Sequence, residues 1–454
     1  MRAESFEEML TRNLGRAPLL IGIGLAFVAI RAVGARAGGV LLALASAVLV
    51  PVSFVRPDIG AYAMVVNFVN EFDSYYDLRQ YTYLSVPILL DAGISVGIYL
   101  TVVAARRLPR LAYTQNVMLL VYVLLVCLSV LLSPVAWPND LWASFRTNFL
   151  IRPVFFLFLI VLIRTPDRLQ RLLLTWLIAH SLLMAFALSD FVQKDLVAYR
   201  VAATVKETNY LSYICMTTLP ILLAVGSYFR SLLPRLAVLG LGVVTLFVSL
   251  HTLSRGGYIA LALTVGFFTI RFSRNPQMML SALVFLALFY LMMPAELSER
   301  LSEVHTLAET DRYKIGRVAL RMALDNPLFG AGWFAFNTSF MRYDYEHEFT
   351  HPTTPHSIYL SIAASSGFPA LFAYLVVYML TFVQVERVVQ KYRRARDVQS
   401  FGYFLALGVE GALIGHFAFG TTGAYGDSYY AFLLLALAVI VVRYHEDPTV
   451  EPLR

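Results

Sequence analysis

Apolar residues run continuously over about 15 to 25 positions at a time and do not alternate with a period of two, which predicts bilayer-crossing helices and argues against a β-barrel. Thirteen such runs stand out, at 17–30, 39–55, 83–104, 116–136, 148–163, 172–192, 210–229, 236–250, 257–270, 278–293, 358–383, 401–419 and 429–442. Several fall short of the roughly 20 residues that cross a bilayer upright, so their helices should extend into the flanks. Residues 58–72 fit either a fourteenth, short span or a helix lying in the interface. One long segment, 294–356, cannot sit in lipid: a charged, helix-compatible piece at 299–325, then Asn326-Pro327-Leu328-Phe329-Gly330-Ala331-Gly332, then a histidine-rich end at 347–356. The expected organisation is an N-terminal transmembrane bundle over 1–293, a long external loop over 294–356 and C-terminal transmembrane helices over 357–454, all in one integrated membrane domain.

Composition sharpens this. Hydrophobic residues make up 59% of the 454 positions and charged ones 14%, a balance that a soluble domain of this length would not keep in solution. The fold class is therefore an all-α polytopic membrane protein with 13 or 14 spans and a helix-containing outer loop. Residues 1–16 read as a charged, amphipathic lead-in and not as a cleavable signal peptide. The two cysteines, Cys127 and Cys215, both lie in apolar runs and support neither a disulfide framework nor a metal site. Alternate loops carry Arg106, Arg107 and Arg110; Arg164, Arg168 and Arg171; Arg230 and Arg235; Arg271 and Arg274; and Arg387 through Arg396, which makes them cytoplasmic. Strict alternation places 71–81, 137–146, 193–209, the corner at Ser254 and Arg255, the long loop and 421–427 on the outer face.

That outer face should be poor in basic residues, yet it holds Lys194, Arg200, Lys206, Arg255, Arg312, Lys314, Arg317 and Arg321. The departure suggests an anionic partner at the outer membrane surface. Lys314, Arg317 and Arg321, three and four apart, form one stripe of a helix whose opposite side carries Ile315, Val318, Ala319 and Met322. This pattern suits a phosphate held near lipid and equally a solvated amphipathic helix. Arg255, followed by Gly256 and Gly257 at a tight corner between spans, offers a forked donor for a pyrophosphate; the plainer alternative is an arginine snorkelling at a span end. A neutral His356, just before the run that begins at Ile358, could accept a hydroxyl proton near neutral pH; the plainer alternative is an interfacial polar residue.

Other signals are weaker. His347-Glu348-Phe349-Thr350-His351 fits the zinc-protease string, but Pro352, Pro355 and the poor helix formers between them predict a loop, where the spacing loses its meaning. Glu71 and Asp73 suit a cation site or, more plainly, a solvated loop. Asp91, Glu410 and His416 lie inside spans, where ionisable groups suggest a transporter or flippase or else a structural pair, with Arg152 as a candidate partner.

Leu253-Ser254-Arg255-Gly256-Gly257-Tyr258-Ile259-Ala260-Leu261, Asp325-Asn326-Pro327-Leu328-Phe329-Gly330-Ala331-Gly332 and His356-Ser357-Ile358-Tyr359-Leu360, followed by Ser366-Gly367-Phe368-Pro369, occur in this order around one long external loop. Together with the span count, they resemble the O-antigen ligase and polymerase family of bacterial inner-membrane, GT-C-like enzymes, from residue 147 onward. The resemblance implies a glycosyltransferase taking an undecaprenyl-pyrophosphate-linked glycan as donor and a lipid A core or a second lipid-linked glycan as acceptor. The work would be done at the periplasmic face, among membrane lipids, with no metal, no cofactor and no nucleic acid. His356 matches the base; Arg255 matches the pyrophosphate-binding corner arginine, Arg200 a second outer-loop arginine, and Arg317 and Arg321 basic positions on the loop helix. The ligase type is the expected label, with the polymerase as alternative.

Overall fold

The protein is described by a computed structural model covering residues 35–72, 86–103, 113–134, 145–193, 201–271 and 311–446, together with positions 8, 283, 284, 287 and 291. The expected span at 17–30, the one at 278–293 apart from those isolated positions, and Asp73, Lys194 and Arg200 lie outside the described residues. Every regular element among the described residues is helical: α1 (Ala35–Val55), α2 (Pro57–Asn70), α3 (Val86–Ile98), α4 (Thr114–Leu131), α5 (Ile151–Leu162), α6 (Pro166–Gln193), α7 (Thr208–Tyr228), α8 (Leu232–His251), α9 (Arg255–Arg271), α10 (Asp311–Asp325), α11 (Ala335–Tyr343), α12 (Ile358–Arg394), α13 (Phe401–Gly420) and α14 (Tyr429–Glu446). Seven of these, α4, α6, α7, α8, α12, α13 and α14, are long and apolar enough to cross a membrane. The chain is a multi-pass membrane protein, because only helices that close their own hydrogen bonds, or closed barrels, survive in hydrocarbon.

Side-chain distribution follows from that solvent. On α4, Leu119, Tyr122, Val126 and Val130 are buried while Val117, Leu120, Leu124, Leu128 and Leu131 are exposed, so one apolar stripe faces the bundle and the other is left for lipid tails. α7 and α13 form the buried centre. Their backbones approach closely where α13 carries glycine, a Cβ on Gly408 falling 2.8 Å from the Ile221 Cα. Helix ends extend past the apolar runs as expected, with α6 beginning at Pro166 where the run begins at 172.

The open question about residues 58–72 resolves toward a helix inside the bundle. Most of α2 is buried; Tyr62 donates to the Arg168 carbonyl at 3.2 Å and Asn70 to that of Ala179 at 3.0 Å, so α2 climbs alongside α6. Its 14 residues rise about 21 Å, less than the roughly 30 Å hydrocarbon core.

One end of the bundle gathers the basic positions expected at the cytoplasmic side. Arg271 bridges Glu386 at 2.6 Å and Glu410 at 2.8 Å, and Arg443 caps the Ile160 and Ile163 carbonyls at the end of α5. Glu410 is thus a structural ion-pair partner. His416 is held between the hydroxyls of Tyr213 and Tyr374, at 2.8 and 2.7 Å, and stacks on Tyr378.

The opposite end is built on a break in α12. Pro369 has no N–H to offer the Ser365 carbonyl, and the Phe368 N–H, which a regular helix would give to Ala364, goes to the Pro327 carbonyl at 2.9 Å. The two freed carbonyls are taken by the 326–332 turn: Ala331 N–H donates to Ala364 at 2.9 Å and Gly332 N–H to Ser365 at 3.0 Å. The sequences Asn326–Gly332 and Ser366–Pro369 are therefore two halves of one joint. Ser133, just past α4, ties it down by donating to the Ala331 carbonyl at 2.6 Å. The joint requires glycine at Gly367, whose φ of 86° and ψ of 169° suit no side chain and whose Cβ would lie 2.3 Å from the Leu328 oxygen. Above it, Ile315, Val318, Ala319 and Met322 of α10 pack with Phe336 and Phe340 of α11 into a small core of the loop's own.

The joint should dominate the stability of this end. Gly367→Ala forces a backbone region that costs an L-residue about 1–3 kcal/mol before any clash is counted, so its thermal midpoint in detergent should fall clearly. Gly240→Ala in α8, where a Cβ meets nothing within 4 Å, should leave the midpoint unchanged or slightly higher. Equal midpoints for the two variants would show that the joint contributes little.

Candidate functional site

Five half-buried polar side chains meet at the end of the bundle capped by the joint. Glu207 comes from the turn before α7, Arg255 from the start of α9, Arg312 from the start of α10, His356 from the approach to α12, and Tyr425 from the turn between α13 and α14. Arg255 lies close enough for its charge to reach Arg312: burial and then Arg255 push the Arg312 pKa down, with Tyr425 and Glu207 opposing. Two arginines held together against their own repulsion, with one carboxylate beside them, make a site of net positive charge.

Local chemistry fixes each member. Glu207 caps α7: its carboxylate accepts from the Asn209 and Tyr210 backbone N–H groups and from the Asn209 side chain, and also from the Tyr425 hydroxyl. The strand of chain leading to it is pinned at Ala203 N–H by the Asp190 carboxylate, at 3.0 Å, and at Val201 N–H by the His251 carbonyl, at 3.3 Å. Arg255 opens α9 directly after the Thr252–Ser254 turn. Its neighbours Gly256 and Gly257 are small because α9 is pressed against Thr422 and Ser212, whose side-chain oxygens a Cβ would meet at 2.1 Å. The pair of glycines thus lets α9 pack closely at the corner that carries Arg255. Ser357 starts α12, accepting from Leu360 N–H and donating to the Gly420 carbonyl at 3.3 Å, which sets His356 at the helix entrance.

His356 is neutral at neutral pH. Burial lowers its pKa below the usual value, Arg312 lowers it further, and Glu207 pulls the other way. The Tyr425 hydroxyl is pushed up, first by burial and then by Glu207, and stays protonated.

The predicted basic stripe of the loop helix points elsewhere. Arg317 pairs with Glu348 at 2.7 Å, Lys314 reaches the same carboxylate at 3.5 Å, and Arg321 grips both oxygens of Glu346 while lying over the Tyr345 ring. Hydrogen bonding to Arg321 holds Glu346 down at about 2, so this clamp stays charged at any physiological pH. Arg317 and Arg321 are therefore met by carboxylates of their own loop, while Arg312, which the sequence places among the outer-face cations without singling it out, joins Arg255. A signal for it exists: Arg312 shares the three-four-three spacing of Ile315, Ala319 and Met322, which makes it a charged residue on the buried face. Glu207 and Tyr425 carry no such mark, since they meet across 218 positions of sequence.

The 347–351 segment is loop, as expected. His347 and His351 are exposed, and Glu348 is taken by Arg317 and Lys314. Asp344, Glu346 and Glu348 do approach one another closely enough to consider a cation, but the latter two already face three basic side chains. Glu71 departs from the solvated loop that the sequence favoured: it lies beside Arg152 and Lys206, and burial pushes its pKa up to about 7.

The electrostatics of His356 give a direct check. Because its pKa is lowered on folding, the neutral ring contributes stability that is present above the unfolded value near 6.5 and is lost as pH falls through the folded value. Followed by ring-proton NMR, His356 should titrate below 6.5, with Arg312→Gln moving the transition up and Glu207→Gln moving it down. A titration indifferent to both variants would separate His356 from the cluster.

Residues 240–375 match the family model described as O-Antigen ligase, a segment that runs from α8 through the first half of α12 and carries Arg255, Arg312, His356 and both halves of the joint. No curated protein matches the chain. Over this segment the chain is similar to the O-antigen ligase family, and the three motifs in order and the multi-pass helical fold agree with that likeness.

Proposed function

We propose that this protein transfers a glycan from undecaprenyl pyrophosphate to an acceptor hydroxyl at the periplasmic face of the inner membrane, with inversion at the anomeric carbon. The observation that carries the proposal is the meeting of Arg255, Arg312 and the neutral His356 at one end of the bundle. Pyrophosphate is a good leaving group once its developing charge is spread, and two neighbouring guanidinium groups would supply that. In the step itself, the acceptor hydroxyl gives its proton to His356 as its oxygen bonds the anomeric carbon. The bond from that carbon to the pyrophosphate oxygen breaks, and undecaprenyl pyrophosphate leaves with the electron pair. Protonated His356 then returns its proton to solvent. Glu207 and Tyr425 would position this end by tying the α7 cap to the α13–α14 turn. Arg200, which lies outside the described residues, remains a further candidate for the donor, and Arg317 and Arg321 act in this reading by holding the loop closed.

The acceptor we favour is a lipid A core, making the enzyme a ligase; extension of another lipid-linked repeat is the alternative. The rival class, a flippase for the same lipids, drew on Glu410 and His416. Their engagement with Arg271 and with two tyrosine hydroxyls supports a structural role for both.

Purified protein supplied with a defined lipid-linked glycan, with and without core lipid, should glycosylate the core. Elongated lipid-linked chains in both reactions would identify a polymerase instead. His356→Ala should lower transfer by about 100-fold or more, the usual scale of a lost general base, with donor binding retained. Unimpaired transfer by a folded His356→Ala protein overturns the assignment of the base.

A further inference from the structure

Next to the cationic pair lies a second group of polar side chains that the proposed chemistry does not use. Glu71 closes α2 in a left-handed conformation, with φ of 49°, beside Arg152 of α5 and close to Lys206 and Glu207. Arg152 lies over the Tyr429 ring at 5.1 Å, and its Nε is buried with no hydrogen-bond partner. Tyr210, one turn into α7 and 5% exposed, directs a hydroxyl into the interior that is likewise without a partner, within reach of the Glu71 charge. Buried donors with nothing to donate to are uncommon in a folded protein, because each forfeits its solvation. Here two of them, from different helices, border one buried carboxyl.

We propose that Glu71, Arg152 and Tyr210 form the acceptor subsite, and that it takes the hydroxyl groups of a saccharide. The claim rests on the glycosyl-transfer reading above and locates the second substrate within it. The hydrogen-bonding pattern selects the ligand. Arg255 and Arg312 offer cations, whereas Arg152 stands beside Glu71, a buried carboxyl that burial pushes up to about 7 and that can therefore both give and accept a hydrogen bond. With the two unsatisfied donors it suits sugar hydroxyls, which likewise give and accept hydrogen bonds. Tyr210 and Tyr429 add aromatic surface to the same place. Glu207, set between the two groups, would then separate the pyrophosphate side from the acceptor side and keep both near His356.

Tyr210→Phe is the cleanest probe. It deletes a hydroxyl that has no partner in the free protein, so folding should be unaffected or slightly improved. The readout is binding of delipidated core oligosaccharide and, in a separate arm, of a free repeat-unit glycan to the purified full-length protein, alongside binding of undecaprenyl pyrophosphate. One of the two saccharides should bind the wild type, and Tyr210→Phe and Glu71→Gln should each weaken it about tenfold, the scale of one lost hydrogen bond to a polar ligand. Undecaprenyl pyrophosphate should bind all three proteins alike. Saccharide binding unchanged in Tyr210→Phe and Glu71→Gln, or no saccharide binding by the wild type, overturns the subsite. If the wild type binds the saccharide through these residues and yet forms no glycosylated product with donor present, the transfer reading fails while the subsite stands.

Discussion

The site-bearing end of this protein depends on one exchange of hydrogen bonds. A glycine and a proline break α12 within its first three turns, and the carbonyls so released are claimed by the backbone of the 326–332 turn. Inside a membrane bundle an unclaimed carbonyl is costly, so the break and the turn are tolerable only together. The consequence is positional. α10 and α11 are held over the bundle by the turn that joins them, which brings Arg312 to the same place as Arg255, and the segment that follows α11 delivers His356 to the entrance of α12.

Around that frame the charges divide into two sets. Lys314, Arg317 and Arg321 face Glu346 and Glu348, an exposed clamp that closes the loop upon itself. Such exposed pairs are individually weak, typically about 0–1 kcal/mol, and their value here lies in being a network. Arg312, one helical stripe away, is half-buried and faces a like charge instead. Repulsion that is retained at a half-buried site marks a place where an anion is expected.

Much of the fold was legible in the sequence because hydrocarbon leaves so few choices. Each described span falls where an apolar run predicted it, and α2 was ambiguous only because 14 residues are too few to decide between lying in and lying on a membrane. His356 and Arg255 were legible as charged or titratable residues at the edges of apolar runs. Arg317 and Arg321 drew attention for the same reason, since spacing places residues on a stripe but does not say what the stripe meets. Glu348, inside the zinc-protease string, is what Arg317 meets. The joint itself was visible as two motifs without any sign that they bond each other, and the Glu207 to Tyr425 contact joins turns that local patterns cannot connect.

The central claim is that the buried-face arginine, and not the stripe beside it, holds the donor's pyrophosphate. Direct binding of undecaprenyl pyrophosphate to the purified protein tests it, comparing Arg312→Gln with Arg321→Gln at equal folded fraction. Loss of a charge-assisted hydrogen bond should weaken binding about 10- to 100-fold for Arg312→Gln and leave Arg321→Gln close to wild type. The reverse order, with Arg321→Gln impaired and Arg312→Gln intact, would contradict the account.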